Sequence, residues 1–438
     1  MWGLYRKREL ADMYLLINII GILVFIGVAF LFSKDKKHVD WRSVITMLVI
    51  NVFLAWFLTG FSIGIDGVKA AANAFNWMVQ ISYSGIGFAL ASWVDVKQMD
   101  FVTSSLLPIL MIVPLFDILT YIGFLPWLIK WVGRGLAFVT RQPKFESFFA
   151  VEMMFLGNTE ALAVSSLQLK QMKAQRLVTI AMMSMSCVTA SILGAYMQMM
   201  PGEYVIAAVP INIVNAIIVT IILNPVTVTP EEDTIAKIGG SSQVEENNQT
   251  TDTSGSEDLA EAQVKEDMKP KKEPFFSFLG DSILGAGKLV LIILANVIAF
   301  VALAKLIDEG LQLIFPWLTL ENILGVIMFP FAWLLGLDVP TAFKFAQFMG
   351  TKLVTNEFVV MGKVSPVVDT YAPHFKAMLT VFLTSFANLS TTGMIIGAFK
   401  GIVDRKKNDV ISKNVGYMLL SGVLVSLMSA GVVGLFSW

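Results

Sequence analysis

Two short polar segments inside apolar stretches are the parts of this sequence best suited to chemistry. The first reads Asn158-Thr159-Glu160 and the second reads Asn356-Glu357. A carboxylate that faces lipid is energetically costly, so such residues belong where the backbone lines a polar cavity. A carboxylate accepts hydrogen bonds, and an Asn amide both donates and accepts them. Together the two segments can therefore bind a small polar solute within the membrane.

Other polar residues at membrane depth point to transport rather than to catalysis. Glu152 and Asp117 are isolated acids, which mark ion or proton pathways unless they face water or pair with a lysine. The only histidines, His38 and His374, fall in predicted loops, and Cys187 is the only cysteine. No His-Glu-x-x-His motif is present. The sequence thus predicts no catalytic residue, no metal site and no cofactor.

The composition indicates that lipid is the main solvent of the chain. Of 438 residues, 56% are hydrophobic and 15% are charged, whereas soluble domains carry about 25% charged residues. The formal net charge of −1, with no basic stripe apart from the membrane flanks, argues against a nucleic-acid partner. An apolar stretch of about 20 residues crosses a bilayer core as a helix. This rule predicts spans near residues 13–33, 43–60, 103–123, 177–199, 204–224, 283–305, 375–397 and 415–437.

Three other apolar segments do not fit a simple span. Segment 64–92 begins amphipathic, which predicts a helix in the membrane interface followed by a short apolar stretch. Segments 145–165 and 340–363 carry the polar breaks and are predicted to be re-entrant hairpins. A span with a polar centre follows each hairpin, so the two halves of the chain repeat one order of elements. We therefore predict an all-α polytopic membrane protein with about eight transmembrane helices, two re-entrant hairpins, interfacial helices and an inverted-repeat transport core.

Charge and composition divide the chain into four parts. Residues 226–274 are rich in acidic and other polar residues and lack aromatic side chains, which predicts a disordered linker. Lys and Arg concentrate in loops on the side of this linker, and the positive-inside rule makes that side cytoplasmic and both termini external. The basic cluster at residues 6–8 argues against this orientation. The predicted domains are scaffold helices (1–100), a first core half with its hairpin (101–225), the acidic cytoplasmic linker (226–274) and a second core half with its hairpin (275–438).

Three segments of the chain resemble the signature segments of the concentrative nucleoside transporter family. They are residues 157–161 (GNTEA), 349–359 (MGTKLVTNEFV) and 385–393 (SFANLSTTG), and residues 191–196 match as well. The resemblance runs in order over nearly the whole chain. It implies a multi-pass protein of the cytoplasmic (cell) membrane that imports nucleosides by alternating access. It also implies a homotrimer, and a protein that is not an enzyme.

The matched motif positions imply a substrate site in three parts. They are Asn158, Thr159 and Glu160 for the nucleobase, Glu357, Asn388 and Thr391 for the ribose, and Ile192 and Phe386 as apolar walls. Such a site rejects a solute without ribose hydroxyls, because its own buried polar groups would be left unpaired. The family usually has Gln at the position of Asn158, so the preference between purine and pyrimidine bases stays open.

Two further departures from the family pattern concern the coupling ion. Sodium-coupled members have Asn and Ser where this chain has Met153 and Cys187. Sodium is a hard cation that prefers oxygen ligands, and a thioether or a thiol supplies none. We therefore predict symport with protons, with Glu160, Glu152 and Glu357 as candidate carriers. A sodium-coupled symporter and a transport-inactive, nucleoside-sensing membrane protein are the alternatives.

Overall fold

The computed structural model describes residues 2–140, 143–229, 232–233 and 273–438, and for residues 2–11 and 139–140 it describes the backbone alone. Every regular element in these ranges is helical, as predicted. Most of the predicted linker, 226–274, lies outside the described residues. The basic side chains at 6–8 are likewise not among those described.

The helices follow one another with short connections. In chain order they are α1 (Trp2–Leu31), α2 (Trp41–Thr59), α3 (Ser62–Ala89), α4 (Ala91–Val94), a π-helical turn (Val102–Leu106), α5 (Ile109–Tyr121), α6 (Phe124–Thr140), α7 (Lys144–Leu156), α8 (Asn158–Val164), α9 (Ser166–Gln171), α10 (Ala174–Ser184), α11 (Ala190–Met197), α12 (Gly202–Leu223), α13 (Phe275–Gln312), α14 (Leu320–Trp333), α15 (Val339–Val354), α16 (Glu357–Val364), a 3-10 turn (Ser365–Thr370), α17 (Pro373–Leu383), α18 (Leu389–Ile402), α19 (Arg405–Lys413) and α20 (Val415–Gly434).

Among the described helices, six are long and apolar enough to cross a bilayer core. They are Asp12–Leu31, Trp41–Thr59, Val102–Tyr121, Gly202–Leu223, Phe275–Gln312 and Val415–Gly434. The other two predicted spans, 177–199 and 375–397, are each divided into two short helices, α10 with α11 and α17 with α18. Segment 64–92 forms the continuous helix α3 and the short α4, so its amphipathic start and the apolar stretch after it belong to one helix.

Both predicted hairpins are present. In the first, α7 and α8 meet at Gly157, and in the second, α15 and α16 meet at Thr355 and Asn356. Gly157 has a φ of +97°, a backbone conformation that glycine adopts far more readily than other residues. Each hairpin is preceded by a helix that packs along its first arm, α6 along α7 and α14 along α15. The order of helix, hairpin, broken helix and closing span therefore occurs twice, which is the inverted-repeat core.

The packing brings the two halves together around the broken helices. α12 packs against α20, and α5 packs against α13. At one end of the bundle, the Lys34 ammonium donates to the Asn414 side chain at 2.6 Å and the Lys407 ammonium donates to the Lys170 carbonyl at 2.6 Å. The basic loops around these residues therefore share one end of the molecule, as the positive-inside argument requires.

Candidate substrate-binding site

The tip of the first hairpin presents polar atoms at the start of α8. The Asn158 Oδ1 accepts from the Thr159 N–H at 2.9 Å, and the Asn158 amide donates to the Ser184 carbonyl at 3.4 Å. The Thr159 hydroxyl donates to the Glu160 Oε2 at 2.8 Å. Asn158 is buried, whereas the Glu160 side chain is exposed at the tip. A side chain at Gly157 would be strained by the φ of +97°, and its Cβ would lie 3.2 Å from the Thr189 Cβ, so glycine is favoured at this turn.

The tip of the second hairpin holds a carboxylate with two donors. Glu357 is 3% exposed. Its Oε1 accepts from the Tyr196 hydroxyl at 3.0 Å, and its Oε2 accepts from the Asn388 amide at 3.0 Å. Asn356, the residue before it, caps α16 by accepting from the Val359 N–H at 3.0 Å. These contacts fix the carboxylate by residues from both halves of the chain.

The breaks in the two divided helices also end with capping side chains. Thr189 caps α11, and Asn388 caps α18 by accepting from the Thr391 N–H at 2.8 Å and from the Thr391 hydroxyl at 3.1 Å. With the two hairpin tips, four helices (α8, α11, α16 and α18) start at one place. Helix N-termini carry partial positive charge and unpaired N–H groups. The arrangement therefore offers hydrogen-bond donors beside the carboxylates.

One cavity of about 440 Å³ connects these elements, a size typical of small-molecule sites. The hairpin tips and the broken helices line one part of it, and α5 and α13 line another. In the part lined by α5 and α13, the Ser282 hydroxyl donates to the Asp117 carboxylate at 2.5 Å. Every residue expected to bind substrate lines this cavity: Asn158, Thr159, Glu160, Ile192, Glu357, Phe386, Asn388 and Thr391.

The proton candidates are not all in the cavity. Glu160 and Glu357 line it. Glu152 lies behind the tip of the first hairpin, 1% exposed, where its Oε2 accepts from the Ser165 hydroxyl at 2.8 Å. A proton on Glu152 would therefore reach the substrate only through the hairpin, whereas a proton on Glu160 would lie at the cavity wall.

The two positions that depart from the sodium-coupled pattern are both buried. Met153 is fully buried, and its Sδ accepts from the Ser184 hydroxyl at 3.4 Å. The Cys187 thiol is directed at the Met183 carbonyl at 3.5 Å. Within the described ranges, no group of three or more His, Cys, Asp or Glu side chains is arranged to hold a metal ion. Both side chains present sulfur, which is a poor ligand for a hard cation.

Sequence reasoning missed two buried polar residues of this region. Tyr196 was part of a matched segment, but its contact with Glu357 joins residues 161 positions apart and has no local signal. Lys352 is 1% exposed and its ammonium donates to the Phe382 carbonyl and the Ser385 hydroxyl. The sequence did carry a signal for Lys352, because a lysine inside an apolar hairpin is rare.

Comparisons with known proteins place the chain among nucleoside transporters. The family described as Na+ dependent nucleoside transporter C-terminus matches residues 204–434, and the corresponding N-terminus family matches residues 20–93. The chain is 42% identical to the purine nucleoside transport protein NupG of Bacillus subtilis, over 97% of this chain and 100% of that protein. It is 27% identical to the putative nucleoside permease NupX of Escherichia coli, over 96% and 98% of the two chains. The structure of CNTnw in an inward-facing substrate-bound state matches with a TM-score of 0.81 and 25% identity, over 97% of this chain and 98% of that one.

Proposed function

The chain belongs to the concentrative nucleoside transporter family, and we propose that it imports purine nucleosides together with protons across the cytoplasmic membrane. That it is a nucleoside transporter and an integral membrane protein follows from the family, the fold and the apolar helices. The purine preference rests on its similarity to the purine nucleoside transport protein NupG. The observation that carries the proposal is that all eight expected binding residues line one cavity.

In this proposal the second hairpin binds the ribose. Glu357 and Asn388 are already hydrogen-bonded to each other, which holds a carboxylate and an amide side by side at the cavity. A carboxylate oxygen has more than one acceptor site, so Glu357 can keep its protein partners and also accept from ribose hydroxyls. The Thr391 hydroxyl, held by Asn388, lies next to them.

The first hairpin binds the nucleobase. Asn158, Thr159 and Glu160 line the same cavity as the ribose residues, and Ile192 and Phe386 provide its apolar walls. The Asn158 Oδ1 accepts from the Thr159 N–H and its amide donates one hydrogen to the Ser184 carbonyl. The second amide hydrogen and the Glu160 carboxylate remain to bind a base. A purine offers ring nitrogens and an exocyclic group to such donors and acceptors.

Protons, and not sodium ions, drive the proposed transport. Met153 and Cys187 support this, because their sulfur atoms stand where sodium-coupled members have oxygen ligands. Glu160 is the first candidate carrier, since its protonation would change how it meets the base at the cavity wall. Glu152 is the second candidate, and Glu357 the third. Coupling to sodium is the alternative, because the matching family is described as Na+ dependent.

The same proposal assigns roles to the larger parts of the chain. Residues 1–100 form scaffold helices, 101–225 and 275–438 form the two halves of the transport core, and 226–274 is a cytoplasmic linker. The assembly is a homotrimer in the cell membrane. Its oligomeric state can be measured directly, by the mass of the purified protein in detergent.

Gradient-driven uptake into proteoliposomes tests the function. An inward proton gradient in sodium-free buffer should drive accumulation of labelled adenosine, a protonophore should abolish it, and purine nucleosides should compete better than pyrimidine nucleosides or free bases. The double variant Met153→Asn/Cys187→Ser, which restores oxygen ligands, should gain a response to sodium. Wild-type accumulation that needs a sodium gradient and ignores the protonophore would refute proton coupling.

A further inference from the structure

Lys352 is a buried lysine that has no role in the proposed transport mechanism. It lies in α15, the first arm of the second hairpin, and is 1% exposed. Its Nζ donates to the Phe382 carbonyl at 2.5 Å and to the Ser385 hydroxyl at 2.6 Å, and it sits 4.5 Å from the centre of the Phe382 ring. Burying an ammonium group is costly, so a lysine in this position requires compensating partners.

The partners of Lys352 belong to the break in the second divided helix. Phe382 is in the last turn of α17, where backbone carbonyls lack helical partners and the helix dipole is negative. Ser385 is in the break itself, and its hydroxyl pairs with that of Ser426 in α20 at 2.6 Å. The ammonium therefore joins three elements: the hairpin arm, the end of α17 and, through Ser385, the closing span.

The first half of the repeat has no such charge at the equivalent place. Adding 199 to a residue number converts the first half into the second at each helix start near the site: α8 at 158 becomes α16 at 357, α10 at 174 becomes α17 at 373, and α11 at 190 becomes α18 at 389. By this register Lys352 is the counterpart of Met153. At this position the first hairpin offers its divided helix only the contact between the Ser184 hydroxyl and the Met153 sulfur, which is weak beside the two hydrogen bonds of Lys352.

We propose that the Lys352 ammonium is a fixed internal cation that positions Glu357 and Asn388 for the ribose hydroxyls. This rests on the proposed ribose site. Lys352 holds the arm that leads into Glu357, and its partner Ser385 lies in the break that ends at Asn388. Its positive charge also attracts the Glu357 carboxylate within the same hairpin. Both members of the Glu357–Asn388 hydrogen bond are consequently fixed by one side chain.

The test is nucleoside binding to the purified full-length protein in detergent, measured for adenosine and for 2′,3′-dideoxyadenosine. Lys352→Met should weaken adenosine binding at least about tenfold, because the hairpin arm loses both charged hydrogen bonds to the second divided helix. It should weaken dideoxyadenosine binding much less, so that the preference for ribose falls. Lys352→Arg, which keeps the charge, should lie closer to the wild type. Lys344→Met is the matched control, since Lys344 is an exposed lysine of the same helix, and it should change binding by less than about threefold.

A double-mutant cycle separates positioning from general stabilisation. If Lys352 acts through Glu357, then Lys352→Met should cause less than about a threefold further loss in a Glu357→Gln background. Ser385→Ala gives a second, milder variant with the same expected loss of ribose preference, should Lys352→Met fail to fold. Equal losses for adenosine and its dideoxy analogue, together with additive effects in the cycle, would overturn the proposal. If the wild type shows no preference for ribose, the proposed ribose site itself fails. If the wild type prefers ribose and Lys352→Met keeps that preference, only the role of Lys352 fails.

Discussion

Replacing Glu357 by Gln is the most informative single change at the proposed ribose site. The structure indicates that the variant will fold, because a Gln amide can keep both protein partners of the carboxylate. Its oxygen can accept from Asn388, and its NH₂ group can donate to the Tyr196 hydroxyl oxygen. What the substitution removes is the negative charge and the spare acceptor sites that the ribose needs. The expected effect is therefore on binding and not on folding.

The size of the effect follows from the bond that is lost. A hydrogen bond to a charged group contributes about 1.5–3 kcal/mol, so the Kd for every ribonucleoside should rise roughly tenfold to a hundredfold. Adenosine, inosine and uridine should be affected alike, because ribose is common to them. The assay is equilibrium binding of labelled nucleosides to purified protein, with thermal melting as the check on folding. Glu321→Gln, which removes a half-exposed carboxylate paired with Lys363 at 3.1 Å, is the control and should bind normally. Near-normal adenosine binding by folded Glu357→Gln would refute the ribose assignment.

Three further variants test other parts of the site and fold. Asn158→Gln moves the amide by roughly a bond length, which is enough to make or break a hydrogen bond, so competition assays should show a changed ranking of bases; an equal loss for all nucleosides would make Asn158 a structural cap. Gly157→Ala forces a side chain into a φ of +97° beside Glu160, at a cost of about 1–3 kcal/mol, and should sharply reduce uptake. The control is Gly362→Ala, which has open space around it and should leave uptake unchanged. Arg176→Met leaves buried Glu146 without the guanidinium that binds both of its oxygens, at 2.6 and 2.8 Å. The free energy of unfolding should fall by about 3–5 kcal/mol and should largely return in Glu146→Gln/Arg176→Met. A melting temperature of Arg176→Met equal to that of the exposed variant Lys173→Met would contradict this.

Much of the architecture was predictable because polar residues inside apolar stretches have few physical solutions. The breaks at Asn158-Thr159-Glu160 and Asn356-Glu357 predicted two hairpins, and both are present. The polar centre of segment 177–199 likewise corresponds to a division into two helices. Segment 64–92 was less predictable, since an amphipathic start does not reveal whether the helix continues, and it forms the single helix α3.

The contacts within the site were not predictable from local sequence. Tyr196 and Glu357 meet only because the repeats interlock, and Tyr196 alone reads as an aromatic packing residue. Lys352 lay inside a matched motif, yet its partners at Phe382 and Ser385 come from the next divided helix. Residue types can therefore identify the polar groups of such a site, but which of those groups pair depends on tertiary packing.

Simultaneous recording of nucleoside entry and lumenal pH tests the account most directly. Proteoliposomes in sodium-free buffer would contain a pH-sensitive dye, and labelled adenosine would be added outside with the membrane potential clamped. The account predicts that adenosine entry and acidification of the lumen occur together, and that neither needs sodium. Adenosine entry without acidification, or entry only when sodium is present outside, would contradict it.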